Sequence, residues 1–363
     1  MRYFSLLALV ALFVPLAVDA AEPVQKPVFT SGEGGYHSYR IPSIIVTAKG
    51  TLLAFCEGRK NNRGDTGDID LLLRRSTDSG KNWGPVQVVW DEADNVCGNP
   101  CPVVDAKTGT VWLLLTHNLR EDTEAKVVAG NAKKSRTVWV SSSTDDGATW
   151  AAPTEITKDV KKPNWTWYAT GPGIGIQLKS GRLLIPCDSK SELGKVRESH
   201  VIFSDDGGKT WKLGGVVGPQ CNECQTVELA DGSVMLNMRS YLGTNRRLVA
   251  ISKDGGETFS KPVEDPALIE PVCQASILRL PGEKGGLLFS NPASTKREKM
   301  TVRLSRDEGK TWPMTRELHA GLAAYSCLAV LPNGEIGCLY ERGEKTAYDS
   351  ITFAAFSRNW LGQ

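Results

Sequence analysis

The chain has 363 residues, of which 23% are charged and 40% are hydrophobic, a balance typical of a globular protein with a sizeable core. Its net charge of +2 excludes a broad positive field for nucleic acid or anionic lipid, so any preference for anions must come from a local cluster. The four histidines have no ligand spacing to the nine cysteines, so neither a metal nor another cofactor is expected.

Residues 1–20 have the pattern of a secretory signal peptide. Arg2 precedes an apolar run over residues 4–18, and a small-residue cleavage pattern follows at residues 18–20. A membrane anchor is the alternative, but the run is short for a bilayer span and no later segment is apolar enough to cross. We therefore expect a secreted or periplasmic protein whose residues 21–363 form a single domain.

One eight-residue pattern, Ser-x-Asp-x-Gly-x-Thr-Trp with small variations, recurs five times along the chain. The copies occupy residues 76–83, 143–150, 204–211, 252–259 and 305–312. In each copy, the Ser and Asp side chains can bond backbone donors of a turn, and Gly takes the backbone conformation that other residues avoid. The aspartates are 67, 61, 48 and 53 positions apart, and a period near 50 is typical of a propeller or a similar array. We interpret these turns, known as Asp boxes, as structural and not catalytic.

Each Asp box closes the second of two hairpins. A short apolar strand precedes every box, and before that strand lies a hairpin with its own Gly-containing turn, which gives six such hairpins and five boxes. Two hairpins make a blade of four antiparallel strands, so the chain is predicted to be an all-β, six-bladed β-propeller. The sixth blade lacks its fourth strand at the C-terminus, and residues 27–30 are expected to supply it and close the ring.

This strand order places the candidate functional residues on one rim. The two hairpin turns of a blade share one face of the ring, so the loop between strands two and three and the link to the next blade share the opposite face. The residues that map to this second face are Arg40, Glu57, Arg59, Asp65, Glu223, Arg239, Arg297, Tyr325 and Glu341. Tyr325 is predicted to begin the first strand of blade six. Arg303 stands two residues before its box serine, as Arg74 does, so it maps near the other face. Arg297 is therefore preferred to Arg303 as the candidate ligand-binding arginine.

The same residues lie in motifs that resemble those of the sialidase family over nearly the whole mature chain. The matching segments are Tyr39-Arg40-Ile41-Pro42, Cys56-Glu57-Gly58-Arg59 followed by Asp65, Asn222-Glu223-Cys224-Gln225, Asn237-Met238-Arg239-Ser240, Arg297, Ala324-Tyr325-Ser326 and Leu339-Tyr340-Glu341. Asp boxes also occur in other propellers, whereas this ordered set of side chains is highly specific. The resemblance implies a secreted, bacterial-type exo-sialidase that removes terminal sialic acids with retention.

Sialic acids carry a carboxylate on the anomeric carbon, which Arg40, Arg239 and Arg297 are expected to hold through charge-assisted bonds. A carboxylate nucleophile would repel this group, whereas a neutral tyrosine does not, and sialidases are known for a tyrosine nucleophile. The resemblance therefore implies that Tyr325 attacks the anomeric carbon. Glu223 fits as the base that accepts its proton.

Asp65 is the expected acid and base, which protonates the departing glycosidic oxygen and then activates water. Asp68 and Asp70 compete for this role, but strand alternation places them on one face of the next strand, as solvated or turn carboxylates. The resemblance further implies that Glu341 holds Arg40. Arg59, in the acid/base segment, completes the predicted substrate-binding set.

Two other stretches belong to the same rim. Residues 165–168, Trp-Thr-Trp-Tyr, lie in the link between blades two and three, where they could stack on a sugar or simply cover the rim. Asn99 opens blade two and is a candidate for the N-acyl or glycerol side of the site. Cys97 with Cys101, or Cys221 with Cys224, could pair, but neither disulfide is assumed.

Three alternatives to sialoside hydrolysis remain open from the sequence. A transglycosylating relative, either a trans-sialidase or one that forms an anhydro product, would share every catalytic residue. A hydrolase of a related nonulosonic acid without the N-acyl group would also share them. A non-catalytic sugar-binding propeller would keep the arginines but need not keep Tyr325, Glu223 and Asp65. The expected partners are sialylated glycoproteins, glycolipids or oligosaccharides, without nucleic acid or a membrane span.

Overall fold

The structure is a computed structural model that describes residues 21–282 and 285–362. The signal peptide predicted for residues 1–20 lies outside the described residues. Within the described part, strands dominate and the helical segments are short, so the prediction of an all-β fold is confirmed. Across these ranges we find no helix with the length and hydropathy needed to cross a bilayer.

Twenty-four strands and four short helical segments make up the described chain. The first twelve strands are β1 (Val24–Thr30), β2 (Ser38–Val46), β3 (Leu52–Arg59), β4 (Ile69–Ser76), β5 (Gln87–Trp90), β6 (Val96–Val104), β7 (Val111–Asn118), β8 (Thr137–Ser143), β9 (Thr154–Glu155), β10 (Trp167–Thr170), β11 (Ile176–Gln177) and β12 (Leu183–Ser191). The other twelve are β13 (Val196–Ser204), β14 (Lys212–Val217), β15 (Cys221–Glu228), β16 (Val234–Ser240), β17 (Arg246–Ser252), β18 (Val263–Ile269), β19 (Ser276–Leu280), β20 (Gly286–Pro292), β21 (Glu298–Ser305), β22 (Met314–Val330), β23 (Ile336–Gly343) and β24 (Ser350–Phe356). The helical segments are α1 (Glu124–Val128), α2 (Thr157–Val160) and the 3₁₀ turns Glu192–Gly194 and Asn359–Leu361.

Most strands pair antiparallel with their neighbours in sequence. The strand orders are β2-β3-β4-β6-β7-β8-β9 with β5 on β4, β10-β12-β13-β14 with β11 on β12, β15-β16-β17-β18, and β1-β24-β23-β22-β21-β20-β19. A parallel bridge between Ile69 and Val96 joins β4 to β6. In the fourth sheet, β1 lies beside β24, with Pro27 opposite Thr352, so the two ends of the described chain pair with each other.

The strand that carries Tyr325 differs from the prediction. The sequence suggested that a new strand begins at Tyr325, but β22 runs without interruption through it. The first part of β22 pairs with β21 and the last part pairs with β23, so hydrogen-bond partners are present along nearly its whole length. The register with β23 shifts between Ala323 and Ser326, so Tyr325 lies at an irregularity of the strand, a feature that is common next to active sites.

The Asp boxes form one recurrent hydrogen-bonded turn, which the third copy illustrates. Ser204 Oγ donates to Asp206 Oδ1 at 2.8 Å and accepts from the Gly208 amide at 2.8 Å. Asp206 Oδ1 also accepts from the Thr210 amide at 2.9 Å. Gly208 has a φ of +94°, and a Cβ at this position would overlap the ring of Trp112 in β7. The turn therefore closes its own hairpin and packs its glycine on a neighbouring unit.

The same packing relation repeats from box to box. The corresponding glycines of the second, fourth and fifth boxes face Leu53 in β3, Leu184 in β12 and Met235 in β16, and Gly80 of the first box faces Phe353 in β24. Each of the later boxes thus contacts the unit before it in the chain. The first box contacts the last unit, next to the pairing of β1 with β24.

The nine cysteines are all buried as free thiols, so neither Cys97 with Cys101 nor Cys221 with Cys224 is bridged. Eight of them lie in strands and Cys273 lies in the segment before β19. Burial raises the pKa of each thiol. They therefore act as small core residues.

Candidate active site

A polar cavity of about 210 Å³ lies where the ends of several strands meet. Eight of the nine residues that the sequence maps to one rim line it: Arg40, Glu57, Arg59, Asp65, Glu223, Arg239, Arg297 and Tyr325. The ninth, Glu341, is fully buried behind the wall. A larger cavity of about 1020 Å³ is formed by Asp-box turns and first-hairpin turns, away from all of these residues.

Tyr325 and Glu223 make the central contact of this cavity. Tyr325 Oη donates to Glu223 Oε1, and Arg239 Nη1 donates to Glu223 Oε2 at 2.6 Å and to Tyr325 Oη at 3.3 Å. Burial and the negative charge of Glu223 raise the pKa of Tyr325 well above its ordinary value, against the opposing effect of Arg239. The phenol is therefore neutral at rest, with a carboxylate oxygen already placed to accept its proton.

Glu341 ties two strands of the site together. Its Oε1 accepts from Arg40 Nε at 2.7 Å and from the Ile41 amide at 3.0 Å, and its Oε2 accepts from the Tyr325 amide at 3.1 Å. The register of β2 against β3 shifts just after Arg40, and Ile41 has a φ of +61°, so the Ile41 amide lies in an irregular part of β2 where it bonds Glu341. The contact with Arg40 was expected from the resemblance, whereas the contact with the Tyr325 backbone was not.

Arg297 reaches the same cavity from the loop before β21. Its Nη1 donates to Tyr348 Oη at 2.6 Å, and its Cζ lies 5.6 Å from the centre of the Tyr325 ring. Arg40 Cζ lies 5.3 Å from that ring and 4.2 Å from the Tyr348 ring. Tyr348 thus contacts both guanidiniums, a role that the sequence reasoning missed. Arg303 donates to Asn291 Oδ1 at 2.9 Å and lies outside the cavity lining.

Asp65 lies at the mouth of the cavity, held by a buried arginine. Arg59 Nη2 is 2.7 Å from Asp65 Oδ1 and 2.6 Å from Glu57 Oε2. Burial raises the pKa of Asp65, but the guanidiniums of Arg59 and Arg40 outweigh it and leave the pKa below its ordinary value. Because the side chain is 58% exposed, water screens part of this effect.

The competing carboxylates Asp68 and Asp70 lie away from this cavity, and one of them corrects the sequence analysis. Both contact Lys60 Nζ, Asp68 at 2.9 Å and Asp70 at 3.1 Å. Asp70 also accepts from Tyr36 Oη at 2.6 Å and is only 2% exposed. It is therefore a buried, paired carboxylate and not a solvated one, because the loop of residues 60–68 folds Lys60 back over it.

Asp188 is a site residue that the sequence analysis missed. It lines the cavity, is 1% exposed, and accepts from Asn222 Nδ2 at 2.7 Å, while its Oδ2 has no hydrogen-bond partner among the described residues. Burial and the nearby charge of Glu223 raise its pKa to about 8. Strand register could have revealed it. The strands β3, β12 and β16 each contain a residue that pairs with the serine of an Asp box. Five positions after that residue lie Glu57 in β3, Asp188 in β12 and Arg239 in β16.

The aromatic stretch at residues 165–168 divides between wall and core. Trp167 lines the cavity, and Arg136 Cζ lies 4.2 Å from its ring centre. Trp165 and Tyr168 instead pack on His200, with ring centres 4.5 and 4.8 Å away. Trp167 is therefore the member of this stretch that is placed to contact a sugar, whereas Trp165 and Tyr168 are core residues and do not cover the rim.

Comparisons with known proteins agree with this geometry. Residues 50–338 match the family model of the BNR repeat-like domain. The chain is 36% identical to a sialidase of Micromonospora viridifaciens over 96% of its length, and 30% identical to an exo-alpha-sialidase of Aspergillus fumigatus over 90% of its length. The chain belongs to the sialidase family. The resemblance drawn from its motifs is confirmed.

The sialidase relatives differ in length from this chain. It spans 57% of the Micromonospora protein and 86% of the Aspergillus protein. Among solved structures, that of the Hadza microbial sialidase Hz136 superposes with a TM-score of 0.84 at 32% identity, over 92% of this chain and 68% of the other. Such sialidase structures are β-propellers, an architecture that this all-β chain shares.

Proposed function

We propose that the protein is an exo-α-sialidase that hydrolyses terminal sialic acids from glycoproteins, glycolipids or oligosaccharides, with retention, through a glycosyl-tyrosine intermediate. The observation that carries this proposal is the hydrogen bond from Tyr325 Oη to Glu223, beside three arginines. A tyrosine with its own base, in a pocket built for an anion, suits a sugar whose anomeric carbon bears a carboxylate. A purely sugar-binding protein would have no use for this pairing.

The arginines supply the binding energy for the carboxylate. The guanidiniums of Arg40 and Arg297 lie 5.3 and 5.6 Å from the centre of the Tyr325 ring, and Arg239 contacts the Tyr325 hydroxyl. An acid group held by all three therefore brings the anomeric carbon to Tyr325. Guanidiniums suit this task because they form planar, charge-assisted bonds to carboxylates. Glu341 balances part of the positive charge from behind and keeps Arg40 oriented.

In the first step, Tyr325 Oη attacks the anomeric carbon while its proton passes to Glu223. The glycosidic bond breaks, and the departing oxygen takes a proton from Asp65. This needs a protonated Asp65, whose pKa the arginines lower in the free protein. Because the bound carboxylate neutralises part of the charge on Arg40, substrate binding raises the pKa of Asp65 towards the value that a general acid needs.

In the second step, Asp65 accepts a proton from water, and the water oxygen attacks the anomeric carbon from the side that the leaving group occupied. The bond to Tyr325 breaks, and Glu223 returns the proton to the phenolate oxygen. Two displacements on one carbon give net retention, and no cofactor takes part in either.

We also propose a closed ring of six blades for residues 21–363, exported as a single domain by the signal at residues 1–20. The packing of Gly80 against Phe353 supports closure. The glycine of each later box packs on the preceding unit, and Gly80 makes the same contact between the first unit and the last. The pairing of β1 with β24 supports the same arrangement.

Turnover of a fluorogenic sialoside tests the activity. The unmodified protein should release the reporter, and Tyr325→Phe should lower kcat by about a thousandfold, since it keeps the ring but removes the nucleophilic oxygen. Tyr36→Phe is the matched control, because it deletes a hydroxyl bonded to Asp70 outside the cavity and should leave kcat unchanged. Sugar binding without turnover by the unmodified protein would favour a lectin and reject the enzyme.

A further inference from the structure

A second cavity, of about 510 Å³, opens beside the candidate active site. It is lined by Asp65, Thr66, Thr123, Glu124, Ala125, Val128, Lys190, Leu193, Gly194 and Arg197. Three of these residues, Asp65, Glu124 and Lys190, also line the arginine-bearing cavity. The two cavities are therefore adjacent, and Asp65 lies on the boundary between them.

The position of Asp65 assigns a purpose to the second cavity. A general acid protonates the oxygen between the sugar being released and the group that leaves. The acid-bearing sugar occupies the side with the arginines, so the group attached through that oxygen must extend past Asp65 on the other side. We propose that the second cavity binds the leaving-group sugar and that Leu193 forms its apolar platform. This assignment rests on the proposed function.

Leu193 is presented to this cavity by an unusual hairpin tip. Glu192, Leu193 and Gly194 all have positive φ, at +49°, +56° and +81°, a conformation that non-glycine residues adopt rarely. The tip lies against α1, since a Cβ on Gly194 would come within 2.5 Å of Val128 Cγ1. Leu193 nevertheless stays 65% exposed, although apolar burial would favour an inward orientation. The tip therefore holds an apolar surface at the cavity mouth.

The charges of the second cavity indicate a neutral ligand. Two acidic side chains, Asp65 and Glu124, face two basic ones, Lys190 and Arg197, and Lys190 pairs with Glu124. Arg197 keeps a buried Nε without a hydrogen-bond partner among the described residues, while its Cζ lies 4.7 Å from the ring centre of Tyr241. A neutral pyranose fits this lining, because its hydroxyl edge can meet these polar groups while its C–H face rests on Leu193.

Two substrates that share the acid but differ in the leaving group test the assignment. Leu193→Ala should lower kcat/KM for sialyl-lactose by about fivefold and change kcat/KM for the methyl sialoside by less than about twofold, since a methyl group does not reach the platform. Val128→Ser, on the facing wall, should act in the same direction. Val263→Ala is the matched control, because this valine is 63% exposed on β18 and outside both cavities.

Equal losses on both substrates, or no loss on sialyl-lactose in either cavity variant, would overturn the leaving-group assignment and leave the proposed function standing. An unmodified protein that cleaves neither substrate would instead reject the proposed function, and the leaving-group assignment with it. Selective loss on sialyl-lactose, with the control unaffected, supports both.

Discussion

Two aspartates around the cavity show how surroundings divide chemical roles at the residue scale. Asp65 faces the guanidiniums of Arg59 and Arg40, which lower its pKa, whereas Asp188 is enclosed near Glu223, and its pKa rises to about 8. Identical side chains thus favour opposite charge states in one site. A role that needs proton exchange suits the accessible Asp65, while a neutral Asp188 can donate a hydrogen bond from its buried position.

The acid role of Asp65 predicts a dependence on the leaving group. Asp65→Asn should lower kcat/KM for sialyl-lactose by about 10²- to 10³-fold, because its glycosidic oxygen must be protonated to depart. A sialoside of a nitrophenol should lose far less, since nitrophenolate leaves without a proton. Steady-state rates on the two substrates measure the contrast, and equal losses would show that Asp65 only positions the substrate.

The raised pKa of Asp188 predicts a pH-dependent stability difference. The folded state binds this proton more tightly than the unfolded state, so the carboxyl contributes a stability that is lost as pH rises from about 4, the unfolded pKa, through about 8. Asp188→Asn keeps an oxygen for Asn222 but cannot ionise. Denaturant unfolding should therefore show the variant gaining stability relative to the unmodified protein as pH rises from about 4 to about 8. A constant difference would contradict the buried, protonated state.

At the scale of the elements, the Asp box connects local chemistry to packing. Its hydrogen bonds run between residues two to four positions apart, as in Ser204, Asp206 and Gly208, so each turn forms from its own sequence. Its glycine then meets a side chain of another unit, Trp112 in this case. The same small residue thereby serves turn conformation and contact between units.

A pair of glycine substitutions separates these two demands. Gly181 and Gly208 have nearly equal φ, +93° and +94°, but only Gly208 has a neighbour in the way of a Cβ. Gly181→Ala should cost about 1 kcal/mol for the backbone conformation, and Gly208→Ala should cost about 3 kcal/mol or more because the Trp112 ring must also move. The free energy of unfolding in urea measures the loss of stability in each variant. Similar losses would show that contact with Trp112 does not restrict position 208.

At the scale of the whole molecule, the first and last strands of the described chain, β1 and β24, pair in one sheet. Phe29 of β1 is 3% exposed, and its neighbour Val28 accepts a hydrogen bond from Arg74 Nη1 at 2.8 Å. The strand therefore packs against the first unit while it pairs with β24 of the last. Without β1, the edge of β24 would be open to solvent and to other chains.

Two substitutions within β1 test how much this strand stabilises the fold. Phe29→Ala should lower the free energy of unfolding by about 3–5 kcal/mol, since it empties a buried aromatic site. Val24→Ala, at a 64% exposed position of the same strand, should change it by less than about 0.5 kcal/mol. Thermal or denaturant unfolding gives both values, and a small effect of Phe29→Ala would mean that the stability of the fold does not depend on β1.

The sequence by itself determined the all-β class, the five turns, the family and the residues that gather around the cavity. These follow from local hydrogen bonds, from the alternation of strands and from motifs such as Asn237-Met238-Arg239-Ser240, which neighbours along the chain define. Only the tertiary structure decided that β22 continues through Tyr325, that Glu341 also holds the Tyr325 amide, that Asp188 is buried with a raised pKa, and that a second cavity lies past Asp65. Burial, pKa and cavity shape depend on distances between strands far apart in sequence, and no local pattern encodes those distances.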